Sequence, residues 1–303
     1  MAHRIPDVAQ APAPRASAPL AAPGKSGLAR LRGGRIYLGV AIILIWGLAP
    51  FYWMVVTAFR DPDYTFDTTP WPTHLTLENF RNALSTSNGN NFTRALFNSM
   101  IIGGATTLIA VFVGICTAYA LARIDFRGKY LVVGLVLGAS MFPVVALVTP
   151  LFQLFTNIGW IGQYQALIIP NISFVLPLTV YTLTSFFSEL PWELEEAARI
   201  DGASRAQAFR MVMLPLAAPA LFTTAILGFI AAANEYLLAS LLSSDKTEPV
   251  TVAIARFSGN DPHVVPYTAI MAAGTLVTVP LVVMVLLFQR RIISGLTAGG
   301  VKS

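Results

Sequence analysis

Apolar residues in this chain gather into long blocks separated by short polar segments. A bilayer-spanning helix needs about 20 mostly apolar residues, and six stretches meet that length: 37–58, 95–122, 130–154, 164–187, 216–242 and 266–288. The pattern predicts an all-α membrane protein with six transmembrane helices. Pro143, Pro150, Pro170, Pro177 and Pro280 fall inside these blocks. Such prolines permit kinks that neighbouring helices accommodate, which suits a gated pathway and a static bundle alike.

Lys and Arg in the short flanks set orientation, because positive flanks stay cytoplasmic. Fifteen of the twenty basic residues fall on one side: those before the first block, Arg123, Arg127 and Lys129, Arg199, Arg205 and Arg210, and Arg290, Arg291 and Lys302. The other side holds Arg60, Arg81, Arg94, Lys246 and Arg256. Both termini are therefore expected in the cytoplasm. Residues 1–36, rich in Pro and Ala, are expected to be a disordered cytoplasmic tail ahead of a membrane domain over 37–303. With no apolar run before residue 37, a cleavable leader is not expected. A "GKS" triplet at residues 24–26 lacks the earlier Gly and the strand that a phosphate loop requires.

Composition sharpens this picture by exclusion. At 55% hydrophobic and 12% charged, 303 residues are too apolar for a soluble domain of that size. The single cysteine, Cys116, allows no intrachain disulfide and lacks thiolate partners for a metal. His3, His74 and His263 lie outside the blocks, and neither H-E-x-x-H nor G-x-S-x-G occurs. No catalytic or metal-binding residue is expected. The net charge of +5 is scattered among loops without a basic face, which excludes nucleic acid as a partner. Two loops on the outer side, residues 59–94 and 243–265, are either partner contacts or simple connections. The second mixes a β-rich run, "PVTVAIA", with turn signals.

Residues 191–215, "PWELEEAARIDGASRAQAFRMVMLP", carry seven ionisable side chains between two apolar blocks. Pro191 suits a helix start, and Glu193, Glu195 and Glu196 complement the positive end of that helix. Leu194, Ala197, Ala198 and Asp201 share one mostly small face. Gly202 fits the left-handed residue that ends the helix, and Ser204 with Gln207 forms a capping box for a second helix that Pro215 stops. A hairpin of this kind suits an inner-leaflet surface and a protein docking site equally well.

This stretch resembles a known family. Glu196, Ala197 and Ala198, then three residues, Gly202, nine residues, Val212, one residue, Leu214 and Pro215 reproduce the E-A-A-x3-G-x9-I-x-L-P loop of permease subunits of binding-protein-dependent ABC importers, with Val in place of the usual Ile. "MFPVVALVTPLF" at 141–152 and the ending "FQRRIISGLTAGGVKS" are similar to the carbohydrate branch, in particular its maltose- and trehalose-type second permease. The resemblance covers residues 37–303. It implies a type I ABC importer (MetI-like) fold in a bacterial cytoplasmic membrane, and transport of a sugar, an α-linked disaccharide such as trehalose. It also implies a homologous second permease, two ATP-binding subunits that hold ATP and Mg, and an extracytoplasmic sugar-binding (lipo)protein. No cofactor belongs to this chain. The loop 189–215 would be the coupling helix region, with Glu195, Glu196, Ala197, Ala198, Asp201, Gly202, Leu214 and Pro215 as ATPase-coupling residues. The C-terminal segment would add a second contact with the ATPases, and residues 243–265 would reach toward the binding protein.

Asn234, Glu235 and Tyr236 interrupt the fifth block, and a carboxylate at membrane depth suggests function. A polar translocation path and a buried structural hydrogen bond fit equally. The family often has Trp where this chain has Ala233, which weakens any ring-stacking role there. The alternative to an ABC permease is a secondary transporter or channel using Glu235 as an ion or proton site. Against it, Glu235 is the one clearly intramembrane acid, and paired half-helix repeats are not evident.

Overall fold

The computed structural model describes residues 27–86, 91–257 and 265–298, in two units that divide between Phe51 and Tyr52. In chain order the helices are α1 (Gly27–Ala58), α2 (Glu78–Leu84), α3 (Phe92–Arg123), α4 (Lys129–Ser140), α5 (Val144–Asn157), α6 (Tyr164–Glu189) and α7 (Trp192–Ile200). They continue with α8 (Arg205–Ala208), α9 (Leu214–Leu216), α10 (Ala218–Ala233), α11 (Leu237–Leu242), α12 (Val250–Ala255) and α13 (Tyr267–Ala298). No β-strand occurs among the described residues; one isolated bridge pairs Arg60 with Leu75.

Four of the expected spans are single helices: Ile36–Ala58 within α1, α3, α6, and Tyr267–Gln289 within α13. The other two are broken. Between α4 and α5 the chain bends by 90° at Met141–Pro143, where Pro143 is the N-cap of α5 and has no N–H to continue the helix. Pro150, Pro170, Pro177 and Pro280 lie inside helices that continue past them. The fifth block starts with a 71° bend ahead of α10 and stops at Asn234, where α11 begins anew after Tyr236. At 16 residues, α10 is about 24 Å long, short of the hydrocarbon thickness.

Three further departures from the expected pattern occur. Helix α1 starts at Gly27, so residues 27–36 are helical where a tail was expected; residues 1–26, with the "GKS" triplet, lie outside the described residues. The run "PVTVAIA" forms α12 instead of a strand. Val250, Val252 and Ala253 are buried, and the Val250 N–H donates to Ser99 Oγ at 2.8 Å, so tertiary packing overrides β propensity. The second hairpin helix is not stopped by Pro215. It widens into a π-turn over Phe209–Met213, in which the Leu214 N–H reaches back to the Phe209 carbonyl, and continues through Pro215 to Leu216. A π-turn relaxes the ladder just where the proline would otherwise crowd the preceding turn.

The core is helix against helix. Helix α3 packs most extensively on α6, and α10 packs on α3, α6 and α13. Where lipid surrounds a bundle, small residues that let backbones approach provide the packing. A Cβ on Gly114 of α3 would stand 2.5 Å from Thr179 Cγ2 of α6, and one on Gly228 of α10 would stand 2.9 Å from Val175 Cγ1. Thr179 has little freedom to yield, since its hydroxyl donates to the Val175 carbonyl at 2.9 Å. Gly114→Ala should therefore cost about 1–3 kcal/mol through overpacking. Gly104→Ala, where an added Cβ meets nothing within 4 Å, should be neutral or stabilise by up to about 1 kcal/mol through helix propensity. Thermal unfolding of the purified protein in detergent measures the contrast.

Candidate functional site

The charged hairpin folds as its local signals predict. Pro191 caps α7. At the other end the Ala203 N–H donates to the Ala198 carbonyl (3.0 Å) and the Gly202 N–H to the Arg199 carbonyl (3.1 Å), with Gly202 at φ +93°. That is the paired hydrogen bonding of a Schellman turn, and the positive φ favours glycine. The capping box closes α8: the Ser204 N–H donates to Gln207 Oε1 (2.8 Å) and the Gln207 N–H to Ser204 Oγ (3.3 Å). Glu196, Ala197, Asp201, Gly202 and Pro215 are exposed, and Ala198 and Leu214 are half-buried. The hairpin also presents apolar side chains outward, Ile200 at 85% and Met211 at 73% exposure.

Glu195 differs from the rest of the expected set. It is buried, and its carboxylate points back into the bundle: Tyr119 Oη donates to Oε1 at 2.8 Å, and Arg123 Nε lies 3.9 Å from Oε2. Trp192, three residues earlier in α7, remains exposed, and the next residue, Glu196, carries the exposed charge. Arg123 also donates through Nη2 to the Leu190 carbonyl at 2.7 Å and lies over the Trp192 ring at 4.6 Å. Tyr119 and Arg123, four residues apart in α3, were not among the expected site residues. Their signal was an aromatic and a basic residue on one face at a span end, but partners 67 to 76 residues away leave no local trace.

At the opposite end of α3, the break in the fifth block is closed by side chains. Glu235 Oε1 accepts from the Leu238 N–H (2.8 Å) and Oε2 from the Ala239 N–H (2.9 Å), so this carboxylate caps α11. The Thr251 hydroxyl donates to the Glu235 carbonyl at 3.0 Å. Asn234 and Tyr236, on either side, are exposed. The following segment is clamped by Asn98, whose Nδ2 donates to the carbonyls of Lys246 (3.1 Å) and Glu248 (2.8 Å) and whose Oδ1 accepts from Tyr164 Oη (2.7 Å). Burial pushes the Glu248 carboxyl above its ordinary range, against the pull of Arg256, whose Nη1 lies 3.3 Å away.

The segment after α1 is organised around Arg60, which is fully buried. It donates to the carbonyls of Asp67 and Thr69 and lies over the Trp53 ring at 5.3 Å. Hydrogen bonds from the Thr69 hydroxyl and N–H hold the half-buried Asp67 carboxyl below its ordinary range. A separate cavity of about 610 Å³ opens between α3, α4 and α6. Tyr181, Thr184, Ser185 and Ser188 of α6 line one wall and Leu121 and Val136 another. This hydroxyl stripe, at i, i+3, i+4 and i+7 across the end of the fourth block, is a signal that the sequence carries and that the expected site residues do not include. Residues 258–264 and 299–303, to which contacts were assigned from sequence, lie outside the described residues.

Residues 82–297 match the family described as binding-protein-dependent transport system inner membrane component. The chain belongs to this family. It is a permease component of the inner membrane and has no enzymatic part in the system. Among curated relatives, it is 44% identical over 262 residues to the trehalose transport system permease protein SugB of Mycobacterium tuberculosis, covering 86% of this chain and 94% of that one. It is 45% identical over 269 residues to the trehalose/maltose transport system permease protein MalG of Thermococcus litoralis, covering 88% and 96%. A chain of a bacterial ABC transporter involved in the import of the acidic polysaccharide alginate superposes with a TM-score of 0.74 at 19% identity, covering 89% of this permease and 99% of that chain, which shows the fold.

The capping geometry yields a direct expectation. Glu235→Ala leaves two N–H groups of α11 unmet and should destabilise the permease by about 1–2 kcal/mol. Glu235→Gln, which keeps one carbonyl acceptor, should cost less. Thermal unfolding of both variants beside the unmodified protein checks the order.

Proposed function

We propose that this permease is the membrane subunit of an ATP-driven importer for an α-linked disaccharide such as trehalose, moved across the cytoplasmic membrane by alternating access. The single observation that carries this reading is the exposed hairpin, with E-A-A-x3-G spacing and a glycine turn, projecting where two helices of the bundle end. The names of the two curated relatives support the sugar class. The charge asymmetry of the flanks supports six spans over 37–303, with the broken pairs α4–α5 and α10–α11 counted as one span each, both termini cytoplasmic, and residues 1–36 as a cytoplasmic extension. Partners are then a homologous second permease, two ATP-binding subunits that hold ATP and Mg, and an extracytoplasmic sugar-binding (lipo)protein.

Each part of the hairpin has a role in this scheme. Glu196 supplies charge to the ATPase cleft, Ala197 and Ala198 permit close approach, and Gly202 sets the angle between the two arms. Closure of the ATPase pair on ATP would rock the bundle between its two openings. Asn234 and Tyr236, exposed beside the break, and the hydroxyl stripe of α6 offer hydrogen-bonding groups to a sugar along the way. Glu235 contributes as the cap that holds this break open, which favours the ABC reading over an ion-coupled one.

Two measurements test the scheme. In liposomes containing the whole complex, trehalose should accumulate only with hydrolysable ATP inside. Equal uptake without ATP, or uptake that follows a pH gradient and vanishes in Glu235→Gln, would sink it. Gly202→Val should reduce uptake at least ten-fold while the permease remains at its normal membrane level. A Cβ there meets nothing within 4 Å, so the cost is confined to a φ that L side chains disfavour by about 1–2 kcal/mol.

A further inference from the structure

We propose that Tyr119, Arg123 and Glu195 form a joint that makes both arms of the hairpin move as one body with the end of α3, so that Tyr119 and Arg123 are positioning residues for transport. The inference rests on the coupling role proposed above for the hairpin. Three observations carry it.

The first is reach. From two positions one turn apart in α3, the pair touches the end of α6 through the Leu190 carbonyl, the start of α7 through the Trp192 ring, and the next turn of α7 through Glu195. The Tyr119 ring packs on Phe187 of α6 at 5.9 Å and on Phe209, the first residue of the π-turn, at 4.5 Å. Both hairpin arms are thus held by a helix that is remote from them in sequence.

The second is burial. The side chains of Arg123 and Glu195 are 1% and 9% exposed, and Tyr119 beside them packs against the buried cluster of Leu183, Phe187, Met213 and Ala217. A buried ion pair is seldom a net source of stability relative to apolar packing, so its presence at this junction needs a reason other than stability. Holding one geometry between two elements is such a reason.

The third is incompleteness. Arg123 Nε and Nη1 and Glu195 Oε2 have no hydrogen-bond partner among the described residues, and the Nε to Oε2 separation is 3.9 Å. A charge-assisted hydrogen bond forms about 1 Å closer. The joint is one hydrogen bond short in this conformation, and a small tilt of α7 toward α3 would complete it. A push on the hairpin that brings α7 inward is therefore favoured by the joint and passed to α3.

The test uses the whole transporter, purified through a tag on this chain and reconstituted in liposomes, with radiolabelled trehalose and maltose as the probes and ATP hydrolysis measured in parallel. Arg123→Ala and Glu195→Gln should retain the ATPase subunits through purification, hydrolyse ATP at close to the normal rate, and accumulate at least ten-fold less sugar per ATP. The double variant should be no worse than Arg123→Ala alone, since the two act as a unit, and Arg123→Lys should recover part of the loss. Tyr119→Phe, which removes one hydroxyl, gives the same readout if a larger change prevents folding. Normal sugar per ATP in these variants, additive losses in the double variant, or loss of the ATPase subunits on purification would overturn the joint. Gly202→Val separates the two readings: normal transport in that variant removes the coupling role itself, whereas impaired transport there with normal transport in Arg123→Ala removes only the joint.

Discussion

Every backbone N–H and C=O at membrane depth has to find a partner inside the protein. Helices meet that demand along their length, and the difficulty falls on the places where a helix stops. In this permease those places are met by polar side chains supplied from elsewhere in the chain. Glu235 takes two N–H groups in the first turn of α11, Ser99 takes the first of α12, Asn98 takes two loop carbonyls, and Arg123 takes the Leu190 carbonyl between α6 and α7. Without these side chains the broken fifth span and the re-entry of the chain after α11 would leave buried polar groups unmet, at a cost comparable to several hydrogen bonds.

Three of those four residues lie on α3. Asn98 and Ser99 sit near one end and Arg123 at the other, about 37 Å apart at 1.5 Å per residue. The helix between them packs closely on α6 through Gly114 and carries Tyr119 against both arms of the hairpin. A single rod thereby links the segment around Lys246–Glu248 to the hairpin at the opposite end. Within the proposed function such a rod would be a direct mechanical route, tied through Asn98 and Ser99 near one end and through Arg123 at the other.

Much of this was legible in the sequence, and the boundary of legibility is physical. The apolar blocks located the spans because hydropathy is a local property. The Schellman turn at Gly202 and the Ser204–Gln207 box were equally legible because their hydrogen bonds close within six residues. What stayed hidden depended on distant partners. "PVTVAIA" has the composition of a strand and becomes helical through Ser99 and burial against α3. Glu195 and Glu196 look interchangeable until α3 draws one of them inward. Pro215 looks like a stop, and the π-turn before it lets the helix pass. Asn234, Glu235 and Tyr236, a polar interruption of the fifth block, mark a break whose cap is the Glu235 carboxylate itself.

On the proposed function, the exposed face of the hairpin seats an ATPase subunit and does not rest on the membrane surface. The most direct measurement places a photo-crosslinking amino acid at Ile200, the most exposed apolar residue of the hairpin, in the intact transporter in native membranes. Irradiation should yield an adduct between this permease and an ATP-binding subunit, with a yield that changes when ATP and vanadate trap the closed state. Crosslinking to lipid alone, with no ATPase adduct in either state, would contradict the account.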